Sequence, residues 1–270
     1  MPKLPKLPAP PLPSALKAPP PRPGEENGKR GPIEDAMEAG ITVVDWVDER
    51  TSLSGAARWM MFRKIPKGTN WFYTLGSATM FAFLSQAVTG VFLAMYYRPD
   101  PSGGAYESIR YVTNDVFLGQ FVRGMHKWGS SVMVILVFLH MGRTFFFGAY
   151  KYPRELNWVI GVVLLILTMV MSFTGYLLPF DQRAYWATIV GVNINGTGPL
   201  IGPYLSDFLR GGSEFGATTL SRFYAIHMLL LPGLMAALIG AHLYLVAKLG
   251  TTAPPWAKAE KRSELREAGV

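Results

Sequence analysis

Apolar positions gather in four long runs along this chain, near Trp71 to Tyr97, His126 to Phe147, Trp158 to Leu178 and Phe223 to Leu249. Each is long enough to cross a hydrocarbon core of roughly 30 Å, which takes about 20 helical residues. The pattern predicts an all-α integral membrane protein built as a four-transmembrane-helix bundle. Between and outside the runs the pattern turns polar, which sets the expected organisation. Residues 1–40 form a Pro-rich disordered tail, since the prolines of MPKLPKLPAPPLPSALKAPPPRPG deny it helix or sheet pairing. Residues 41–70 mix charged and apolar positions with Trp46 and Trp59, suiting an amphipathic helix in the membrane interface. The helical domain spans 71–249, and a polar tail spans 250–270.

The distribution of cations orients the bundle. Eleven Lys and Arg precede Trp71 and five occur from Lys248 onward; the short second connection adds Arg143, Lys151 and Arg154. The other two connections hold only Arg98, Arg110, Arg123, Arg183, Arg210 and Arg222. The positive-inside rule therefore predicts that both termini are cytoplasmic, on what we term the n side, with the opposite face the p side. The net charge of +8 is read as this membrane bias, and no nucleic-acid partner is expected. The chain has no cysteine, which removes disulfides, thiolate metal sites and cysteine nucleophiles.

All four histidines lie in the second and fourth runs: His126 and His140, fourteen apart, and His227 and His242, fifteen apart. At about 100° and 1.5 Å per residue, fourteen residues separate two side chains by about 21 Å and about 40° around the axis; fifteen give about 22 Å and 60°. Each pair shares a helix face. The two helices run in the same direction, so His126 and His227 fall at one depth and His140 and His242 at another. Two histidines from two helices at one depth suit the two faces of an iron porphyrin, twice over. A lone intramembrane histidine usually bonds a neighbouring helix, or serves a proton relay. Either role would have to account for two matched pairs with no histidine left over.

The first run holds Gly76 and Gly90 and the third Gly161 and Gly175, again fourteen apart. Antiparallel direction puts Gly90 and Gly175 at the p-side level and Gly76 and Gly161 at the n-side level. Glycine allows close approach to a plate packed between helices. Arg123 and Arg222 precede the p-side histidines, and Arg143 and Lys248 follow the n-side ones, where haem propionates would meet water. The competing role for these cations is ordinary snorkelling at helix ends.

These residues resemble the cytochrome b family of quinol:cytochrome c (bc and b6f type) complexes, specifically the short, split cytochrome b6 form. The resemblance runs from VDWVDER to Lys248 and is carried by the glycine pairs, RGMHKW with FLHMGR, KYPRELNW, FTGYLLPFDQRAYWA, TLSRFYAIH and GAHLYLVAK. The fifteen-residue interval in the fourth run is similar to cytochrome b6 rather than to the mitochondrial type. The resemblance implies two noncovalent haem b groups, His126 and His227 holding the p-side iron and His140 and His242 the n-side iron. It also implies a p-side quinol pocket, with Phe173, Tyr176, Tyr185 and Trp186 as candidates; their competing role is an interfacial aromatic belt. The long connection Phe180 to Arg222 is expected to cover the p-side haem with loop helices. Cytochrome b6 carries a first-helix cysteine that attaches a further haem. Here FYTLGS places Thr74 there, so no thioether-linked haem is expected, while noncovalent binding stays open.

The implied function is that of a diheme subunit of a quinol:cytochrome c (or plastocyanin) oxidoreductase, moving electrons from quinol on the p side to quinone on the n side with coupled proton translocation. Implied partners are a subunit supplying the C-terminal half of cytochrome b with its Pro-Glu-Trp-Tyr motif, a Rieske iron-sulfur protein and a cytochrome c subunit. The complex is expected to be homodimeric and to lie in a bacterial cytoplasmic membrane. Two rivals stand beside this reading: a b-type anchor subunit of a dehydrogenase or hydrogenase, and a proton-coupled transporter with histidine relays.

Overall fold

The computed structural model describes residues 32–52, 54–55 and 65–257; all described regular structure is helical. The chain divides into two units, residues 1–63 and 64–270. In the first, helix α1 spans Pro32–Thr51. The boundary expected at residue 40 thus falls inside a helix, because proline at a helix's first position loses no hydrogen bond. Ile33, Ile41, Val44 and Trp46 of α1 are exposed, and Arg50 lies over the Trp46 ring at 4.2 Å. Residues 1–31, Trp59 and the polar tail beyond 257 lie outside the described residues.

The second unit holds four helices long and apolar enough to span a bilayer: α2 (Trp71–Ala94), α4 (Gly119–Phe146), α5 (Glu155–Leu177) and α8 (Ala217–Leu249). Helix α3 (Gly104–Asn114) lies in the first connection, and α6 (Gln182–Gly196) and α7 (Gly202–Arg210) in the third. We term the end carrying α3, α6 and α7 the loop end and the opposite end the tail end. Helix α4 begins seven residues before the expected start at His126, and α8 six before Phe223, because both open with amphipathic turns that pack against the loop helices. Their histidines therefore sit well inside helices rather than at their mouths.

Helix α2 packs chiefly along α4, and α5 along α8. Phe81, Val88 and Leu229 stand 71 to 78% exposed, an outward apolar face that water would penalise and lipid would not. Two buried layers fill the inside. One, around Ala82, Met133 and Met235 with Leu136, Leu164 and Leu167, lies at mid-bundle. The other, around Leu177, Val192, Leu209, Leu220 and Phe223, binds the loop helices onto α5 and α8. Threonine hydroxyls in the spans bond back into their own helices: Thr168 Oγ1 donates to Leu164 O at 2.8 Å and Thr79 Oγ1 to Leu75 O at 2.8 Å.

The tail end is tied by side chains that cap backbone. Arg154 Nε donates to Gly250 O and its Nη2 to Leu249 O, both at 3.1 Å, so a cation from the start of α5 satisfies carbonyls at the end of α8. Tyr73 Oη donates to Thr252 O at 2.9 Å and Trp256 Nε1 to Gly68 O at 3.1 Å. At the loop end Tyr97 Oη donates to Leu178 O at 2.6 Å, fastening α2 to α5.

Because two charge-assisted bonds leave with it, Arg154→Ala is expected to destabilise the helical domain by about 2 to 4 kcal/mol, and Arg154→Lys by less. Thermal unfolding in detergent, followed by helical circular dichroism, measures this. Unchanged midpoints for both variants would show that the cap contributes nothing.

Candidate functional site

The four histidines meet in pairs across the bundle. The rings of His126 and His227 lie 6.4 Å apart between centroids at 78°, and those of His140 and His242 lie 6.4 Å apart at 78°. The two pairs lie on either side of the mid-bundle apolar layer, one towards the loop end and one towards the tail end. Depth matching of His126 with His227 and of His140 with His242, inferred from helix direction, is what the coordinates show.

Each imidazole is backed by a glycine at its own depth. A methyl group built at Gly90 would lie 3.2 Å from His126 Cε1, at Gly76 3.1 Å from His140 Cε1, at Gly161 3.7 Å from His242 Cε1, and at Gly175 2.6 Å from His227 Cε1. Gly76, Gly90 and Gly175 thus make room for the histidine rings themselves, a closer role than clearance for a plate, whereas a methyl at Gly161 would be in ordinary contact. Alanine at 175 would force the His227 ring to move.

Two threonines orient the loop-end pair. Thr89 Oγ1 donates to Ser85 O at 2.7 Å and lies 2.9 Å from His126 Nδ1. The hydroxyl oxygen is placed to accept from Nδ1–H while its own proton stays on that carbonyl. His227 Nδ1 lies 3.1 Å from Met171 O and 3.2 Å from Thr174 Oγ1. A carbonyl can only accept, so Nδ1 of His227 carries the proton and its Nε2 keeps its lone pair, the state that binds a metal. Neither threonine was singled out by sequence reasoning, although each immediately precedes its glycine, as Thr89-Gly90 and Thr174-Gly175; the repeated dipeptide was the available signal. At the tail end, His140 Nδ1 and His242 Nδ1 are buried and lack a hydrogen-bond partner among the described residues.

The donor set fits an iron porphyrin. No group of three or more His, Cys, Asp or Glu side chains able to hold a bare ion occurs among the described residues, so a metal here must bring most of its own donors. A ring separation of 6.4 Å accommodates two metal–imidazole bonds of about 2 Å each, one to either face of one metal. Arg143 supports the same fit. Its guanidinium stacks on Tyr73 at 3.8 Å and faces Phe147 at 5.1 Å, while its Nε and Nη2 are buried without a hydrogen-bond partner among the described residues. A carboxylate at the tail-end level would pair with it.

The other cations are placed differently. Arg222 Nη1 donates to Phe208 O in the loop-end cover, and Arg123 Nη1 lies 3.3 Å from Thr113 Oγ1, so both are engaged in packing α7 and α3. Lys248 is exposed, with its Nζ 5.8 Å from the Tyr244 ring centre. Thr74, at the position of the family's cysteine, donates Oγ1 to Trp71 O at 2.8 Å.

The four aromatic candidates do not form one cluster. Phe173 packs edge-on to Phe223 at 5.6 Å in the loop-end core, against Gly191. Tyr185 meets Phe180, Trp186 and Phe215 at 5.7, 5.2 and 6.3 Å, and Trp186 is held by Gln182 Oε1 at 2.9 Å. Tyr176 is about half exposed on α5. An open cavity of about 430 Å³ lies beside them, lined by Tyr106, Phe180, Asp181, Gln182 and Arg183, and by none of the four.

A family model described as Cytochrome b/b6/petB matches residues 60–250. The menaquinol:cytochrome c reductase cytochrome b subunit of Geobacillus thermodenitrificans is 43% identical over 218 residues, covering 78% of this chain and 97% of that protein. Cytochrome b6 of Heliobacterium modesticaldum is 42% identical over 213 residues, covering 78% of this chain and all of that protein. Among solved structures, a chain of a hyperthermophilic respiratory Complex III superposes with a TM-score of 0.70 at 31% identity, over 77% of this chain and 55% of that one.

The unequal glycine contacts give an ordered expectation. Gly175→Leu should impair haem loading at the His126/His227 level more than at the other, and Gly161→Leu the reverse. The Gly161 effect should be smaller, because its contact is looser. Overpacking of this kind costs about 1 to 3 kcal/mol. Redox titration of membranes reads the loading at each level by its potential; equal loss at both levels in each variant would reduce the glycines to general helix packing.

Proposed function

This chain belongs to the cytochrome b/b6 family, and from that premise we propose that it holds two noncovalent b haems and serves a quinol:cytochrome c (or plastocyanin) oxidoreductase. The single observation that carries the two-haem reading is the repetition of one imidazole-pair geometry, 6.4 Å and 78°, at two depths of a membrane bundle. The protein is an integral membrane protein, and its curated relatives are subunits of an electron-transfer complex.

When bound, the haems supply reversible one-electron chemistry at two depths, so that an electron from p-side quinol reaches an n-side quinone. The chain's own residues do the rest. His126 and His227 would hold the p-side iron through Nε2, with Thr89, Thr174 and Met171 O fixing the tautomer. His140 and His242 would hold the n-side iron, and Arg143 would pair with a propionate there. The mid-bundle layer of Ala82, Met133, Met235 and neighbouring leucines keeps water and loose protons from the path. Charge separation is then not dissipated by leakage; each charge moved against 100 mV stores about 2.3 kcal/mol.

On this reading the loop end is the p side. Arg143 in the last turn of α4, and Lys151 and Arg154 in the short connection to α5, then lie on the opposite, cytoplasmic side, together with both termini. Phe180 and Tyr185, beside the cavity at the head of α6, are then the best-placed of the aromatic groups for quinol. A Rieske iron-sulfur protein, a cytochrome c subunit and a subunit with the remaining cytochrome b helices are the proposed partners, in a homodimer in a bacterial cytoplasmic membrane. Imidazoles paired at two depths, with His227 Nδ1 held by a carbonyl, favour this reading over a proton relay, which needs partners that exchange protons along a path.

Pyridine haemochrome analysis with acid-acetone extraction is expected to give two extractable haems per chain. One haem, or haem retained on the polypeptide, would overturn the assignment. His140→Leu and His242→Leu should each remove the same n-side haem and leave quinol-dependent reduction of the other. Loss of spectroscopically different haems in these two variants would show the pairing by depth to be wrong.

A further inference from the structure

Helix α8 is interrupted where it carries its first histidine. Ile226–Leu230 forms a π turn, and Leu231 N–H donates to Ile226 O, five residues back rather than four. Pro232 follows at once. It has no N–H for Met228 O, and its ring crowds that carbonyl in a regular α turn; a widened turn relieves both.

The two histidine intervals differ by one residue, fourteen in α4 and fifteen in α8. In uninterrupted α-helices that residue would turn one imidazole about 100° away from its partner's arrangement and shift it about 1.5 Å. No such difference is seen. The ring pairs have the same separation and angle at both depths. His227 and His242 also face glycines fourteen apart on α5, as His140 and His126 face glycines fourteen apart on α2.

We propose that the π turn at Ile226–Leu230, seated by Pro232, is a register device that absorbs the extra residue, so that a fifteen-residue interval delivers its histidines as a fourteen-residue one does. Pro232 is thereby a positioning residue, acting on His227 through the backbone. π turns inside α-helices are frequent at functional sites, and here the reason is geometric. The inference rests on the two-haem reading and adds to it what sets the ligand angle in α8.

Pro232→Ala supplies the missing N–H and lets the turn close as α, which rotates His227 relative to His242. Removing one residue from the run Leu229, Leu230, Leu231 in the same background leaves a continuous helix with a fourteen-residue interval; removing any of the three gives the same sequence. Haem content per chain and the low-temperature EPR of the low-spin haems, which reports imidazole orientation, are measured for both against the wild-type chain. Pro232→Ala is expected to shift or lose the p-side signal, and the added deletion to restore two haems with wild-type spectra. A Pro232→Ala spectrum identical to wild type overturns the role of Pro232. Fewer than two haems in the deletion variant, including through failure to accumulate, overturns the register device. Fewer than two in the wild-type chain instead fails the two-haem reading, so the two failures are told apart.

Discussion

An imidazole inside a membrane bundle can be aimed only by the backbone that carries it and by the few groups within reach of Nδ1. Water is not there to satisfy a misplaced ring, and a polar atom without a partner is costly. Setting two such rings 6.4 Å apart, from separate helices, is therefore the demand on which the rest of this fold depends. It requires α4 and α8 to run in the same direction at matched depth, which in turn requires an antiparallel helix between them. It also requires a neighbour without a side chain behind three of the rings, a need met by Gly76, Gly90 and Gly175.

The two ends of the bundle answer different requirements. At the loop end, α3, α6 and α7 bury the mouths of the spans, and the histidines have defined hydrogen-bond partners in Thr89, Thr174 and Met171. At the tail end the tie is made by Arg154, Tyr73 and Trp256, which close carbonyls left open where the helices stop. Arg143 stands there half-buried, held by aromatic rings rather than by a carboxylate among the described residues. An anion such as the acidic edge of a haem would complete its pairing.

Family membership and geometry support each other without overlapping. The family model and the relatives place the chain in the cytochrome b/b6 family. The coordinates add the tautomer of His227, the glycine-to-ring contacts and the means by which unequal histidine intervals become equal. They also move attention at the loop end from Phe173, which is packed into the core, to the surface between Tyr106 and Arg183.

How much was legible beforehand follows from the range of the forces involved. Periodicity and run length fixed the four spans, since a lipid-crossing helix has one length and needs apolar residues throughout. Helix direction and spacing then fixed which histidines and glycines share a depth, because rise per residue is constant. Side-chain partners were beyond that arithmetic. Thr89 and Thr174 become second partners of the histidines only when α2 meets α4 and α5 meets α8, and Arg154 becomes a cap only when the end of α8 comes beside it. The start of α1 at Pro32 was missed because proline blocks a helix's interior but not its first turn. The fifteen-residue interval was visible, but its equivalence to fourteen was decided by a backbone turn that constant-rise reasoning cannot contain.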